Sequence, residues 1–196
     1  QAAEHFGGID GVINNAGAIY LAGTESTPAK RFDLMHAVNT RGTFLCAQAA
    51  IPYLKKGGGG HILNLSPPID LQPKWFASHV AYTITKFGMS MITVGMAAEF
   101  MDAAISVNSL WPRTIIATDA LRAVGGMSLA NAARTPAIMA EAAHSILGTA
   151  PGDLTGQCLL DEDFLRSQGR EDFSDFSVVP GAPLMTDLFV EEKTSE

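Results

Sequence analysis

The sequence predicts an α/β domain, a parallel sheet of about four strands with flanking helices. Short apolar runs of strand length alternate along the chain with longer helix-like segments, and no internal repeat, low-complexity tract or second linker interrupts the alternation. A chain of 196 residues that is 47% apolar and 17% charged can bury a core as one domain, which excludes intrinsic disorder and a small disulfide-stapled module.

Taken in order, Gln1 to Phe6 reads as the end of a helix, stopped by Gly7-Gly8. Gly11-Val12-Ile13-Asn14 reads as a buried strand, and Asn14-Asn15-Ala16-Gly17 ends it in the small and polar residues of a strand end that faces a ligand. Thr27-Pro28-Ala29-Lys30 starts a helix, because proline in a first turn lacks only an N–H that has no helical partner, and helical character resumes through Thr43 to Ala50. Gly57 to Gly60 break the chain before a strand at His61 to Leu65. A proline-rich, aromatic loop from Pro67 to Val80 leads to the most helical stretch, Ala81 to Met101, and then to a strand at Ile105 to Trp111. Helical pieces at Asp119 to Val124 and Pro136 to Leu147 precede a last short strand, Gly156 to Asp161. Beyond Arg170 the pattern is acidic and aperiodic, so residues 1–170 read as the domain and 171–196 as a C-terminal tail.

Thirteen Lys and Arg against 20 Asp and Glu leave a formal charge of −7, which gives no electrostatic basis for binding nucleic acid or an anionic membrane surface. Cys46 and Cys158 lack the spacing of a metal site and read as reduced, buried thiols of a cytoplasmic protein; no metal is expected. No apolar run approaches the ~18 residues of a membrane span. A chain that opens at Gln1, inside helical sequence, reads as starting part-way through a larger unit.

The chemistry centres on Tyr82-Thr83-Ile84-Thr85-Lys86, which sets a phenol and an ammonium one helical turn apart on one face. A free phenol, with a pKa of ~10, is a poor proton exchanger at neutral pH, and a neighbouring cation lowers that value. Alone the pair is a common chance pattern. Its setting is more specific: Asn14-Asn15-Ala16-Gly17 at a strand end, Asn39 inside an apolar helix, Asn64-Leu65-Ser66 at the next strand end, and Asn108 leading through Trp111 to Pro112 and Thr118.

These motifs, in this order over residues 11 to 118, resemble the short-chain dehydrogenase/reductase family. Asn64-Leu65-Ser66-Pro67-Pro68, Pro73-Lys74-Trp75-Phe76, Leu110-Trp111-Pro112-Arg113-Thr114 and Leu159 to Leu165 narrow the resemblance to its hydroxysteroid dehydrogenase-like branch. The resemblance implies a Rossmann-type, doubly wound parallel sheet, of which this chain is the C-terminal, catalytic part. It further implies NAD or NADP as cofactor and an oxidoreductase that interconverts a carbonyl and a secondary alcohol.

Residue by residue, the resemblance makes Tyr82 the group that exchanges a proton with the substrate oxygen. Lys86 lowers its pKa and holds the nicotinamide ribose, and Asn39 anchors a water between Lys86 and solvent. Asn15, Ala16 and Gly17 lie beside the adenosine half, with Asn15 also available to tie neighbouring strands. Pro112, Thr114 and Thr118 border the nicotinamide. Ser66 is the candidate hydrogen-bond donor to substrate, although the usual second serine is Pro67 here and the spacing to Tyr82 is longer, so Ser78 and His79 remain alternatives.

Two more departures stand out. The glycine-rich turn that cradles the pyrophosphate is absent, and Arg113 replaces a glycine while Thr118 falls one residue late. The absent turn and Pro67 both also permit a binding or regulatory protein that keeps the fold without turnover. The loop residues Pro67, Pro68, Ile69, Leu71, Pro73, Trp75 and Phe76, with Trp111, either wall a lipid-like or steroid-like small-molecule site or simply pack the loop down. Met89, Met91, Met96 and Met101 suit core packing or a homo-oligomer contact through the long helices.

Overall fold

In the computed structural model, which describes residues 1–121 and 129–191, four parallel strands form one sheet: β1 (Gly11–Asn14), β2 (Gly60–Asn64), β3 (Ile105–Trp111) and β4 (Cys158–Leu160). They lie in chain order, each strand added beside the one before, with Asn14 opposite Asn64, Asn64 opposite Ser109 and Trp111 opposite Leu160. β2 and β3 are buried along their whole length, as parallel strands covered on both faces must be.

Alternation along the central strands assigns the two faces. Ile62 and Val107 point to the side covered by α3 (Gly42–Gly57) and α4 (Val80–Glu99), where Ala47, Ala50, Leu54, Met96 and Ala97 meet them. Leu63 and Leu110 point the other way, against Ile138, Ala142 and Ile146 of α5 (Ala137–Leu147) and Phe164 and Leu165 of α6 (Asp161–Ser167). Leu54 is fully buried in the first layer, and truncating such a side chain to alanine typically costs about 2–5 kcal/mol.

The glycine run before β2 is required by close approach. A Cβ on Gly59, at φ +130°, would stand 2.5 Å from the Ala104 carbonyl oxygen, and one on Gly60 would collide with the Asp10 carbonyl. A short helix, Ala2–Phe6 (α1), precedes β1, and Pro28 opens α2 (Ala29–Met35).

Several elements differ from the sequence reading. α2 and α3 are joined by a π turn at His36–Arg41, which buries Asn39. Such a turn needs an extra residue in the helix and has no apolar signature of its own. β4 is three residues long, because Asp161 already starts α6. Cys46 is exposed and Cys158 half-buried, so neither is the buried thiol expected; Cys46 lies on the outward side of α3 with Phe44 and Leu45, which are apolar yet exposed too. Met89 and Met96 are buried, whereas Met91 and Met101 face outward. Of the helix expected at Asp119 to Val124, residues 122–124 lie outside the described part.

Residues 171–191, set apart in sequence as an acidic tail, carry Phe173 and Phe176 into the α5–α6 layer and Phe189 and Val190 against Tyr82, Phe87 and Trp111. Among the described residues no helix is long and apolar enough to cross a membrane, and no group of three or more His, Cys, Asp and Glu is placed to hold a metal ion.

Candidate active site

The loops that leave the carboxyl ends of the strands gather on one side of the sheet, the side on which open α/β sheets bind ligands. Asn14 donates from Nδ2 to Oδ1 of Asn64 at 2.8 Å, and Asn64 donates to Thr93 Oγ1 at 2.8 Å, which ties β1, β2 and α4 together beneath the site. The strand tie therefore falls to Asn14 rather than to Asn15, which is exposed at the mouth. Above these residues opens a cavity of about 990 Å³.

Tyr82 and Lys86 both line it, on consecutive turns of α4. The Lys86 ammonium donates to the Leu65 carbonyl at 2.8 Å and stands 5.1 Å from the centre of the Trp111 ring. Burial lowers the Lys86 pKa to about 8, against an opposing pull from the carboxylate of Asp187. The Tyr82 phenol is pushed up from its ordinary value, first by burial and then by Asp187. Burial, not Lys86, thus sets the direction of the phenol's shift in this structure, opposite to the lowering expected from the sequence.

Asn39 is clamped: its Oδ1 accepts from the Ala18 N–H at 2.8 Å, and its Nδ2 donates to the Ala18 carbonyl and to Thr85 Oγ1 at 2.9 and 3.0 Å. These bonds pin the chain after Gly17 to α4 next to Lys86, so a Cβ on Gly17 would lie 3.6 Å from Asn39 Oδ1 and 3.9 Å from Lys86 Nζ. Asn15, Pro112 and Thr118 line the cavity; Ala16, Gly17, Asn39, Ser66 and Thr114 do not. Ser66 is fully buried with its hydroxyl unpartnered, and Thr114 likewise keeps a buried, unpartnered hydroxyl while its backbone bridges to Thr186. Ser78 is exposed, and His79 is tied through Nδ1 to Thr83 Oγ1 at 2.9 Å, its pKa lowered by burial. Neither lines the cavity.

Only Trp75 and Lys74 of the proline-rich loop reach the cavity wall. Ile69 and Leu71 face outward, and Phe76 packs on Phe87, ring centres 5.5 Å apart. The apolar wall comes instead from Ile19 and Leu21 after β1, Ile115 and Ile116 after β3, Met139 of α5, and Met185, Leu188 and Val190 near the C-terminus.

The C-terminal segment is fixed to the β3 loop. Ile115 N–H donates to the Met185 carbonyl at 3.0 Å, Asp187 N–H to the Arg113 carbonyl at 3.0 Å, and Trp111 Nε1 to the Leu188 carbonyl at 2.8 Å. Arg113, where a glycine was expected, pairs its side chain with Asp163 and its N–H with Asp161. Asp187 and Phe189 are the site residues that sequence reasoning missed. The one local signal was an apolar triplet, Leu188-Phe189-Val190, framed by acids.

A family model described as short chain dehydrogenase matches residues 1–127. The chain belongs to the short-chain dehydrogenase family. It is 51% identical over 192 residues to hydroxysteroid dehydrogenase-like protein 2 of Mus musculus, covering 98% of this chain and 39% of that protein. Against the Homo sapiens protein of the same name the identity is 50%, over 98% of this chain and 46% of the relative. The chain thus spans less than half the length of these relatives. Among solved structures, one from Xanthomonas campestris superposes with a TM-score of 0.92 at 49% identity, over 97% of this chain and 70% of the other. A short chain dehydrogenase from Mycobacterium thermoresistibile gives 0.90 at 43%, over 98% and 69%. The four strands and flanking helices are accordingly part of a Rossmann-type short-chain dehydrogenase sheet, of the branch that the sequence motifs indicated.

Proposed function

We propose that this short-chain dehydrogenase carries the catalytic part of an oxidoreductase that interconverts a carbonyl and a secondary alcohol with NAD or NADP. The observation that carries the proposal is the convergence of Tyr82 and Lys86 on one wall of the 990 Å³ cavity at the strand ends, with Asn15, Pro112 and Thr118 around them. That volume, at the upper end of the usual range for ligand pockets, and a small polar group set in an apolar lining fit a nicotinamide–ribose and a small substrate together. Among the described residues no glycine lines the cavity, so the donor set they offer supports the nicotinamide half of the cofactor.

The cofactor, when bound, supplies or accepts the hydride. Tyr82 gives its phenolic proton to the substrate oxygen, or takes one from an alcohol, and Lys86 stabilises the phenolate this leaves. Asn39 acts at one remove: by pinning Ala18 and Thr85 it holds the chain after Gly17 and the start of the Lys86 turn in fixed relation. The apolar wall favours a lipid-like or steroid-like carbonyl compound over a charged one.

A spectroscopic assay of nicotinamide oxidation with a panel of apolar ketones tests the reading. Turnover that depends on Tyr82 supports it. Tight cofactor binding with no turnover on any carbonyl or alcohol would overturn it.

A further inference from the structure

Both tryptophans of the chain, Trp75 and Trp111, line the cavity, and each commits its one polar atom to the protein. Trp75 Nε1 donates to Asp70 Oδ2 at 2.7 Å, and Trp111 Nε1 to the Leu188 carbonyl at 2.8 Å. An indole whose N–H is already bonded offers a ligand only apolar ring surface.

Trp75 is held from several sides. It closes a single helical turn, Pro73–Trp75, and its carbonyl accepts from Thr83 Oγ1, on a fully buried residue of α4, at 2.6 Å; His79 Nδ1 stands 2.9 Å behind that hydroxyl. Phe189 meets the Trp75 ring at 6.2 Å and the Trp111 ring at 6.0 Å, so one phenyl backs both indoles. A lysine marks each end of the wall they form. Lys86, buried at the proposed catalytic pair, lies 5.1 Å from the Trp111 ring centre. Lys74, half exposed at the mouth and paired with Glu191 at 2.6 Å, lies 4.7 Å from that of Trp75.

We propose that Trp75 is a specificity-determining residue, which with Trp111 forms a rigid apolar wall that selects a ring-bearing carbonyl compound over an open-chain one of the same carbon number. The proposal rests on the oxidoreductase reading of the same site. Neither indole is free to follow the shape of a ligand. A fused-ring compound is already rigid and meets such a surface without losing rotor freedom, whereas an alkyl chain gives up several rotors for the same contact. The remaining lining, Ile19, Leu21, Met139 and Met185 among it, is aliphatic and adaptable and draws no such distinction.

The test compares 2-decalone, a fused bicyclic ketone, with 2-decanone, an open-chain ketone of equal carbon number, by steady-state kinetics with NADH and NADPH and by calorimetric titration. The native protein is expected to favour 2-decalone at least ~10-fold in kcat/KM. Trp75→Ala is expected to bring the two ketones within ~3-fold by raising KM for the ring compound while kcat holds, because Trp75 has no part in the proton exchange. Trp75→Phe, which restores a flat ring, is expected to keep most of the preference. Equal selectivity in native protein and Trp75→Ala, a loss carried by kcat, or a Phe variant that behaves like the Ala variant overturns the proposal. If Trp75→Ala does not fold, Trp75→Leu removes the flat ring and keeps apolar volume, with the same loss expected. The calorimetric arm separates the two readings. A binding preference that depends on Trp75 in protein without turnover upholds this inference and overturns the oxidoreductase reading, and turnover whose selectivity is indifferent to Trp75 does the reverse.

Discussion

Phe189 stacks on Tyr82, ring centres 6.1 Å apart and planes inclined by 25°. The same ring meets Phe87 at 5.2 Å, His79 at 5.9 Å and Trp111 at 6.0 Å, so one residue near the C-terminus braces the proposed acid within an aromatic cluster. It does so at φ 70°, a region a residue with a Cβ enters only when surrounding contacts hold it there. Phe189→Ala is therefore expected to cost about 3–5 kcal/mol, and Phe189→Leu distinctly less. Urea denaturation of both variants checks this. A loss under 1 kcal/mol for the alanine would show that the segment is only loosely docked.

Tyr82→Phe removes one hydroxyl that makes no hydrogen bond among the described residues and leaves the ring stack intact. Stability should change by less than about 1 kcal/mol. Turnover at neutral pH, in protein able to bind cofactor, should fall by at least ~10² with cofactor affinity nearly unchanged, whereas Lys86→Ala should damage both. Undiminished turnover in Tyr82→Phe would remove the assigned proton donor.

Ser66 is the sharpest contrast between motif and geometry. Its hydroxyl is buried, unpartnered and outside the cavity lining. Ser66→Ala should thus be neutral or slightly stabilising, because an unsatisfied buried donor is replaced by a methyl. Its effect on kcat/KM should stay below tenfold, under about 1.4 kcal/mol of transition-state binding. A loss near 10³ would mean that the hydroxyl turns into the cavity during reaction.

How much of this was legible depends on the range of the signal. Ile105–Trp111 coincides with its expected strand because a parallel strand covered on both faces is buried along its whole length. Gly11–Asn14, expected to be buried, forms a strand in which only Asn14 is buried and Ile13 is half exposed, since β2 is its one partner among the described residues. Tyr82 and Lys86 were legible because an i, i+4 pair is a local fact. Asn39 stood out as polar among apolar neighbours, but the π turn that aims it at Ala18 did not. Asp187 and Phe189 were lost because their partners lie more than 70 residues away, at Lys86, Trp111 and Phe87, and the acids around them carry the signature of a solvated tail. Arg113 was legible only as a departure, since the Asp163 that receives it is brought near by the β3–β4 pairing.

The acids beneath the site set an unusual pH dependence. Asp161, fully buried, has its pKa raised from 3.8 to about 6, chiefly by burial and against hydrogen bonds from the Arg113 and Glu162 N–H groups. A group that holds its proton longer in the folded than in the unfolded chain contributes stability that is full below its unfolded pKa and is lost as pH rises through its folded pKa. Asp187 acts in the same sense up to about 7. Lys86, lowered to about 8, has the opposite sign, with stability recovered only above that pH. These two acids pull the unfolding free energy down from pH 4 to 7, against His79, whose burial-lowered pKa acts in the opposite sense. Asp161→Asn should match the native chain near pH 4 while exceeding it at pH 7. Parallel curves for the two proteins would disprove the assignment.

The last expectation concerns the outer face of the two long helices. Phe44, Leu45 and Tyr53 of α3 and Ile84, Met91 and Val94 of α4 are exposed although apolar, next to a groove of about 500 Å³ lined by Asp33, His36, Thr40, Arg41, Phe44 and Ile92. Ile84, Met91 and Val94 follow helical spacing, so they form a stripe on the side of α4 away from the sheet. An apolar stripe continued across two helices is larger than the scattered exposed residues of a soluble monomer and suits a second copy of the chain. Self-association through this face is expected, with a solution mass above that of one chain by light scattering. Met91→Lys and Val94→Lys, each placing a charge in the stripe and touching neither sheet nor cavity, should shift the mass toward the monomer while leaving the unfolding midpoint measured at low protein concentration nearly unchanged. The free edge of β1, where Ile13 is half exposed and β2 is the one partner among the described residues, offers a competing contact. Association that survives both lysine variants would place the interface there.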